Sequence, residues 1–184
     1  MKASLVTTAL LALSATAYAQ AAAPPPAPAA AAAAGIVRRG VTFGFGVGAG
    51  SVRSDFRRAR AASLSLRLGA AVTPHAVLVA ELATSAGATA SGDVVAHRLV
   101  GAQVIGFPTR RLYLGGGIGR QTLAISTPEF DYESDAQLGV IFTAGFEVVQ
   151  VRNFGLSLEL HGYRASFGGS PFVSSSLGAA FTWF

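Results

Sequence analysis

The chain has 184 residues, 51% of them hydrophobic and only 12% charged, with a formal net charge of +5 and no Cys. Soluble domains carry roughly 25% charged residues, so this chain is too poor in charge to coat a water-exposed surface and too apolar to be disordered. The absence of Cys excludes a disulfide scaffold and any Cys-ligated zinc or iron–sulfur centre.

The first element is a targeting signal. Met1 and Lys2 make a short basic start, and residues 5–14 (LVTTALLALS) form an apolar run shorter than the roughly 20 residues a bilayer requires. Ala17-Tyr18-Ala19 supplies a small-x-small cleavage pattern, which predicts a signal peptide over residues 1–19. Residues 20–36 are rich in Ala, with Pro24, Pro25, Pro26 and Pro28, and read as a disordered tether. The folded domain is predicted over residues 37–184. No stretch of it holds 18 consecutive apolar residues, so if it crosses a membrane it does so as a closed β-barrel, the other structure that pairs every backbone group within lipid.

Parity supports that reading, because a barrel strand alternates between a lipid face and a lumen face. Over 40–50, Val41, Phe43, Phe45, Val47 and Ala49 alternate with Gly and Thr. Over 63–72, Leu64, Leu66 and Leu68 oppose Ser63, Ser65 and Arg67, and over 76–84, Leu78, Ala80 and Leu82 oppose Val77, Val79 and Glu81. Over 95–106, Val100, Ala102 and Val104 oppose His97, Gly101 and Gln103. Over 112–121, Leu112, Leu114 and Ile118 oppose Tyr113 and three glycines. Over 137–148, Leu138, Val140, Phe142 and Phe146 oppose Gln137, Thr143 and Glu147. Over 154–163, Leu156, Leu158 and Leu160 oppose Ser157, Glu159, His161 and Tyr163. Over 173–183, Leu177, Ala179, Phe181 and Trp183 oppose Ser174, Ser176 and Thr182. The predicted fold is all-β, an eight-stranded antiparallel up-and-down transmembrane β-barrel. Connections at 73–75, 108–110 and 149–153 are short. Those at 52–62, 85–94, 124–136 and 165–172 are longer and polar, the asymmetry of an outer-membrane barrel. A soluble β-barrel would instead carry many Lys, Glu and Thr on the second face.

The lumen is predicted to hold a polar network of Arg67, Glu81, His97, Gln103, Gln137, Glu147, Glu159, His161 and Tyr163. Pairing Val72 with Ala76 across the 73–75 turn sets Arg67 opposite Glu81 and predicts a salt bridge. For Glu147 and Glu159 the candidate partners are His161 and His97, or Arg98, Arg120 and Arg164 reaching in from strand ends. Eight strands enclose a space that side chains can fill, so the network reads as a structural plug, with a gated narrow pore as the alternative. The glycine runs at 44–48 and 115–119 lack the spacing of phosphate-binding loops.

Two loops carry charge. Arg53, Arg57, Arg58 and Arg60, against Asp55, suit the phosphates of lipopolysaccharide. Glu129, Asp131, Glu133 and Asp135 lack calcium-loop spacing and are expected to neutralise the basic loop across the barrel mouth. No helix-turn-helix or zinc pattern points to nucleic acid.

The signal, the eight alternating strands and the aromatic Phe184 resemble the small eight-stranded outer-membrane barrels, such as outer-membrane protein X and the transmembrane domain of outer-membrane protein A. The resemblance covers residues 37–184. It implies a monomer in the outer membrane, folded by the barrel assembly machinery with Phe184 as the assembly signal, in contact with lipid and lipopolysaccharide and without cofactor. Phe181 and Trp183 lie in the apolar phase and Phe184 does not, which suggests a bulge before the end or a shifted register. Lipid A deacylases share the fold, but their His is followed two residues later by Ser, whereas Tyr163 follows His161. The expected role is therefore structural or adhesive rather than enzymatic, with a narrow pore and a lipid A hydrolase as the other two classes.

Overall fold

A computed structural model describes residues 38–54 and 58–184. The expected signal peptide and tether, with Asp55 and Arg57, lie outside these residues. Nine strands run in chain order: β1 (Gly40–Ser54), β2 (Arg58–Thr73), β3 (Ala76–Thr89), β4 (Val94–Gly106), β5 (Leu112–Ser126), β6 (Asp131–Glu133), β7 (Gln137–Val151), β8 (Phe154–Phe167) and β9 (Ser170–Trp183). Eight of them form a closed antiparallel barrel in which each strand pairs with its neighbour in sequence, β4 pairs β5, and β9 returns to β1. The short β6 is the addition to the expected eight, a three-residue flap on the upper end of β5. Here the upper end is the one away from the start of β1 and the end of β9.

Following the ladder once around fixes the barrel's geometry. The pairs run from Phe43 through Leu68, Ala80, Ala102, Ile118, Val140, Arg164 and Val173, and meet β1 again at Arg53, ten positions on from Phe43. With about 3.3 Å per residue and about 4.8 Å between strands, that stagger tilts the strands about 40° from the axis.

The period-two pattern settles which way each side chain points. In the lower two thirds of the barrel the apolar set faces outward: Leu138 is 70% exposed, Val100 61% and Leu68 59%. The polar set faces the lumen, where Glu81, His97, Gln103 and Thr143 are buried. This is the reverse of a water-soluble barrel. Near the lower end Phe43, Phe45, Phe154, Phe181 and Trp183 pack ring to ring on the outer wall across β8, β9 and β1.

Above this belt the polarity inverts, and the strands outrun the expected bounds. Arg58, Arg60, Arg164 and Ser166 point out, while Ala59, Ala61 and Ala165 point in. Val52, Val95, Leu123 and Phe172 are likewise buried inside. The spans expected as long loops are therefore mostly strand. Three residues separate β1 from β2, the β3–β4 and β8–β9 connections are tight, and the β5–β7 connection is long. A parity test that looks for an apolar outward face stops where that face turns polar, although the ladder continues.

The β2–β3 turn also differs in detail. Thr73, not Val72, pairs with Ala76, and a register shift between Ala71 and Thr73 leaves Val72 unpaired. From Ala71↔Val77 onward the register is the expected one, and Arg67 is opposite Glu81.

Candidate functional site: the filled lumen and the arginine-bearing wall

The lumen is built in layers. At its centre Arg67 on β2 reaches across to Glu159 on β8 through two parallel bonds, Nη1 to Oε2 and Nη2 to Oε1, each 2.6 Å. The expected partner Glu81 lies beside it, with Arg67 Nε 3.5 Å from Glu81 Oε1. Arg67 is thus shared between two carboxylates, and the cross-lumen pair is the shorter. The fork geometry of Arg suits this task, because two parallel N–H donors match one carboxylate. His161 closes the group, with Nε2 3.2 Å from Glu81 Oε1 and Nδ1 3.0 Å from the Tyr163 hydroxyl.

Around this core further lumen groups pair with one another. Gln103 donates to Glu81 at 2.6 Å and accepts from Thr143 at 2.9 Å. The Tyr113 hydroxyl donates to Glu159 at 2.7 Å and lies 2.9 Å from Ser157 Oγ. Higher up, His97 Nε2 is 2.9 Å from Gln121 Oε1, and Ser174 donates to Ser85 at 3.2 Å. His97 therefore serves neither Glu147 nor Glu159. Gln137 is half-buried at the start of β7, opposite Gln121. Tyr113, Gln121, Thr143 and Ser157 join the network although the polar set drawn from the sequence omitted them. Their lumen parity was the available signal.

Apolar layers close both ends. Val52, Ala59, Ala61, Val95, Leu123 and Phe172 pack together above the polar core, with Ile125 and Phe167 against them. Below it lie Val77, Val79, Ile105, Phe107 and Tyr113, with Phe184 packed alongside. The cavity bounded by Arg67, Tyr113, Glu147 and Phe184 holds about 30 Å³, enough for only a water or two.

Glu147 takes a partner that parity did not offer. Arg38, just before β1, turns into the lower mouth, where its Nη2 is 2.5 Å from Glu147 Oε2 and 3.1 Å from the Arg110 carbonyl oxygen. Its guanidinium lies 3.7 Å above the Phe107 ring centroid and 5.4 Å from that of Phe184. Gln150 also donates to Glu147. Burial lowers the Arg38 pKa, opposed by the Glu147 charge. The expected alternatives Arg98, Arg120 and Arg164 do not reach in. All three are exposed on the outer wall, because even-numbered positions of β4, β5 and β8 face outward.

Phe184 follows β9, whose ladders to β1 and β8 run without a register shift. Its ring therefore falls in the lumen phase by simple alternation, with no bulge, and its N–H donates to the Asn153 carbonyl at 2.8 Å.

The charged loops are arranged differently from expectation. Arg53 and Arg58 face each other at the top of β1 and β2, with Arg60 just below, all exposed on the outer wall. The acidic stretch folds back as β6, with Ser126 donating to Asp131. Among the described residues it is Arg98 on β4, not an arginine of β1 or β2, that pairs with this flap, at 3.5 Å from Glu133.

No protein-family model matches the chain, and no curated protein matches it in sequence. Solved structures do match. Neisserial surface protein A superposes with a TM-score of 0.64 at 16% identity, over 78% of this chain and 96% of that one. Ail, the attachment invasion locus protein of Yersinia pestis, gives a TM-score of 0.53 at 14% identity, over 79% of this chain and 99% of that one. With its closed, staggered ladder and inverted polarity, the chain has the fold of the small eight-stranded outer-membrane β-barrels.

Proposed function

We propose that this chain is an outer-membrane barrel that acts through its outer surface, in adhesion or envelope integrity, and not by transport or catalysis. The packing of the lumen supports this reading: apolar layers lie at both ends, with a cross-lumen Arg67–Glu159 pair between them. The apolar belt is suited to lipid, and an exposed patch of that size is not tolerated by a water-soluble monomer. In this reading the upper end faces outward from the cell. Arg53, Arg58 and Arg60 there contact lipopolysaccharide phosphates, the role expected of Arg57 as well, and the barrel assembly machinery reads Phe184 before the barrel closes. The protein works as a monomer without a cofactor.

The hydrolase reading has little to stand on. Ser157 is buried in the lumen, bonded to Tyr113 and to the Ala180 carbonyl, and His161 faces Glu81 rather than lipid.

The test has two parts. Cell fractionation with heat-modifiable gel mobility should place a folded barrel in the outer membrane. The refolded protein in planar bilayers should show no single-channel steps. Stable conductance would replace the surface role with a pore, and fatty acid release from lipid A that is lost in His161→Ala would replace it with an enzyme.

A further inference from the structure

The outer wall of the barrel is electrically one-sided. Among the described residues, its eight strands carry six outward arginines, Arg53, Arg58, Arg60, Arg98, Arg120 and Arg164, all in the upper part. They carry no outward carboxylate, since Glu81, Glu147 and Glu159 face the lumen. Three of the arginines stand away from the β1–β2 hairpin. Ten residues of stagger over eight strands lift each successive strand by little more than one residue. Arg98 lies four residues above Ala102 on the common ladder line, Arg120 two above Ile118, and Arg164 on the line two strands further round. The three therefore share one height to within about a residue. Two of them sit in the apolar rows of the wall. Arg120 lies between Val100 and Leu138, and Arg164 between Val140 and Val173. A charge placed there is tolerated at the edge of the hydrocarbon, not at its middle. The weak, exposed Arg98–Glu133 contact leaves most donors of the trio uncommitted.

We infer that Arg98, Arg120 and Arg164 form a phosphate-binding girdle on the β4–β8 wall that holds a bisphosphorylated glycolipid of the lipid A class in the outer leaflet. The inference rests on the proposed orientation and adds a second contact to the one assigned to the β1–β2 arginines. Charge complementarity argues for the anion, and the apolar rows beneath argue for its acyl chains. Spacing argues for two phosphates. Arg98 and Arg120 are on adjacent strands, whereas Arg164 stands two strands, about 10 Å, beyond Arg120. A disaccharide phosphorylated at each end spans both groups.

The test measures equilibrium binding of fluorescent lipid to the refolded full chain in zwitterionic micelles, with folding verified by heat-modifiable mobility. Bisphosphorylated lipid A should bind, while dephosphorylated lipid A and phosphatidylglycerol should bind much more weakly. The variant R98Q/R120Q/R164Q should weaken lipid A binding by about tenfold or more. R98K/R120K/R164K, which keeps the charge but not the fork, should fall in between and serves if the glutamine variant fails to fold. If the girdle variants bind like the parent while R53Q/R58Q/R60Q binds weakly, the girdle is wrong and the β1–β2 contact stands. If the dephosphorylated lipid binds equally well, phosphate recognition is overturned for this wall.

Discussion

Arg67 and Glu159, ninety-two residues apart in sequence, meet across the lumen through two parallel 2.6 Å hydrogen bonds from β2 and β8. Both side chains are almost fully buried, at 8% and 5% exposure. Buried charges are costly unless paired, so each depends on the other more than an exposed pair would.

That dependence predicts an asymmetry. Arg67→Met removes the guanidinium shared by Glu81 and Glu159 and should cost about 3–5 kcal/mol, the range for stranding a buried charge. Glu159→Gln leaves Arg67 with Glu81 and should cost less. Urea unfolding of the refolded barrel, followed by Trp183 fluorescence, gives both midpoints; equal losses would contradict the sharing.

Tyr113 and Gly145 form a second tight relationship. A Cβ at Gly145 would overlap the Tyr113 ring carbon Cζ and its hydroxyl. Gly145→Ala should therefore displace the ring, loosen its bond to Glu159, and cost about 1–3 kcal/mol, as overpacking does. In a Tyr113→Ala background the same change should be nearly neutral. A double-mutant cycle on unfolding midpoints reads the coupling.

Arg38 makes the lower mouth depend on a residue outside the barrel strands. Arg38→Ala strips Glu147 of its cation and Phe107 of its stacked guanidinium, and should cost about 3 kcal/mol. Gln150 remains bonded to Glu147. The double variant Arg38→Ala/Glu147→Gln should thus recover part of the loss. Hydrogen exchange should rise at the lower end and stay unchanged near Phe172; uniform loosening would show that the clasp is not local.

The upper apolar layer should behave as a core. Phe172 is 1% exposed and packs against His97 and Phe167. Phe172→Ala should cost about 3–5 kcal/mol and still yield a non-conducting barrel, because the Arg67 layer lies below it. Bilayer recordings of this variant separate a plug from a lid: conductance appearing on removal of this one ring would mean that the polar core is not a barrier.

Inside and outside were legible from residue order alone. In an extended strand successive side chains must point to opposite faces, so parity placed Arg67, Glu81, Gln103, Glu159 and His161 in the lumen and Leu68, Val100 and Leu138 on the wall. Local pairing across a tight turn was legible too, since the Arg67↔Glu81 register follows from counting back from the β2–β3 hairpin despite the irregularity at Val72. Three things were not. The upper strand segments read as loops because outward arginines reverse the expected pattern. Arg38 lies before the first strand, where alternation says nothing. The Arg67–Glu159 pair depends on closing the ladder with a ten-residue stagger, which brings β2 and β8 face to face at one height. Period-two geometry is a property of each strand and is written in its residues. Which residues meet across the lumen is a property of closure, and only the assembled barrel decides it.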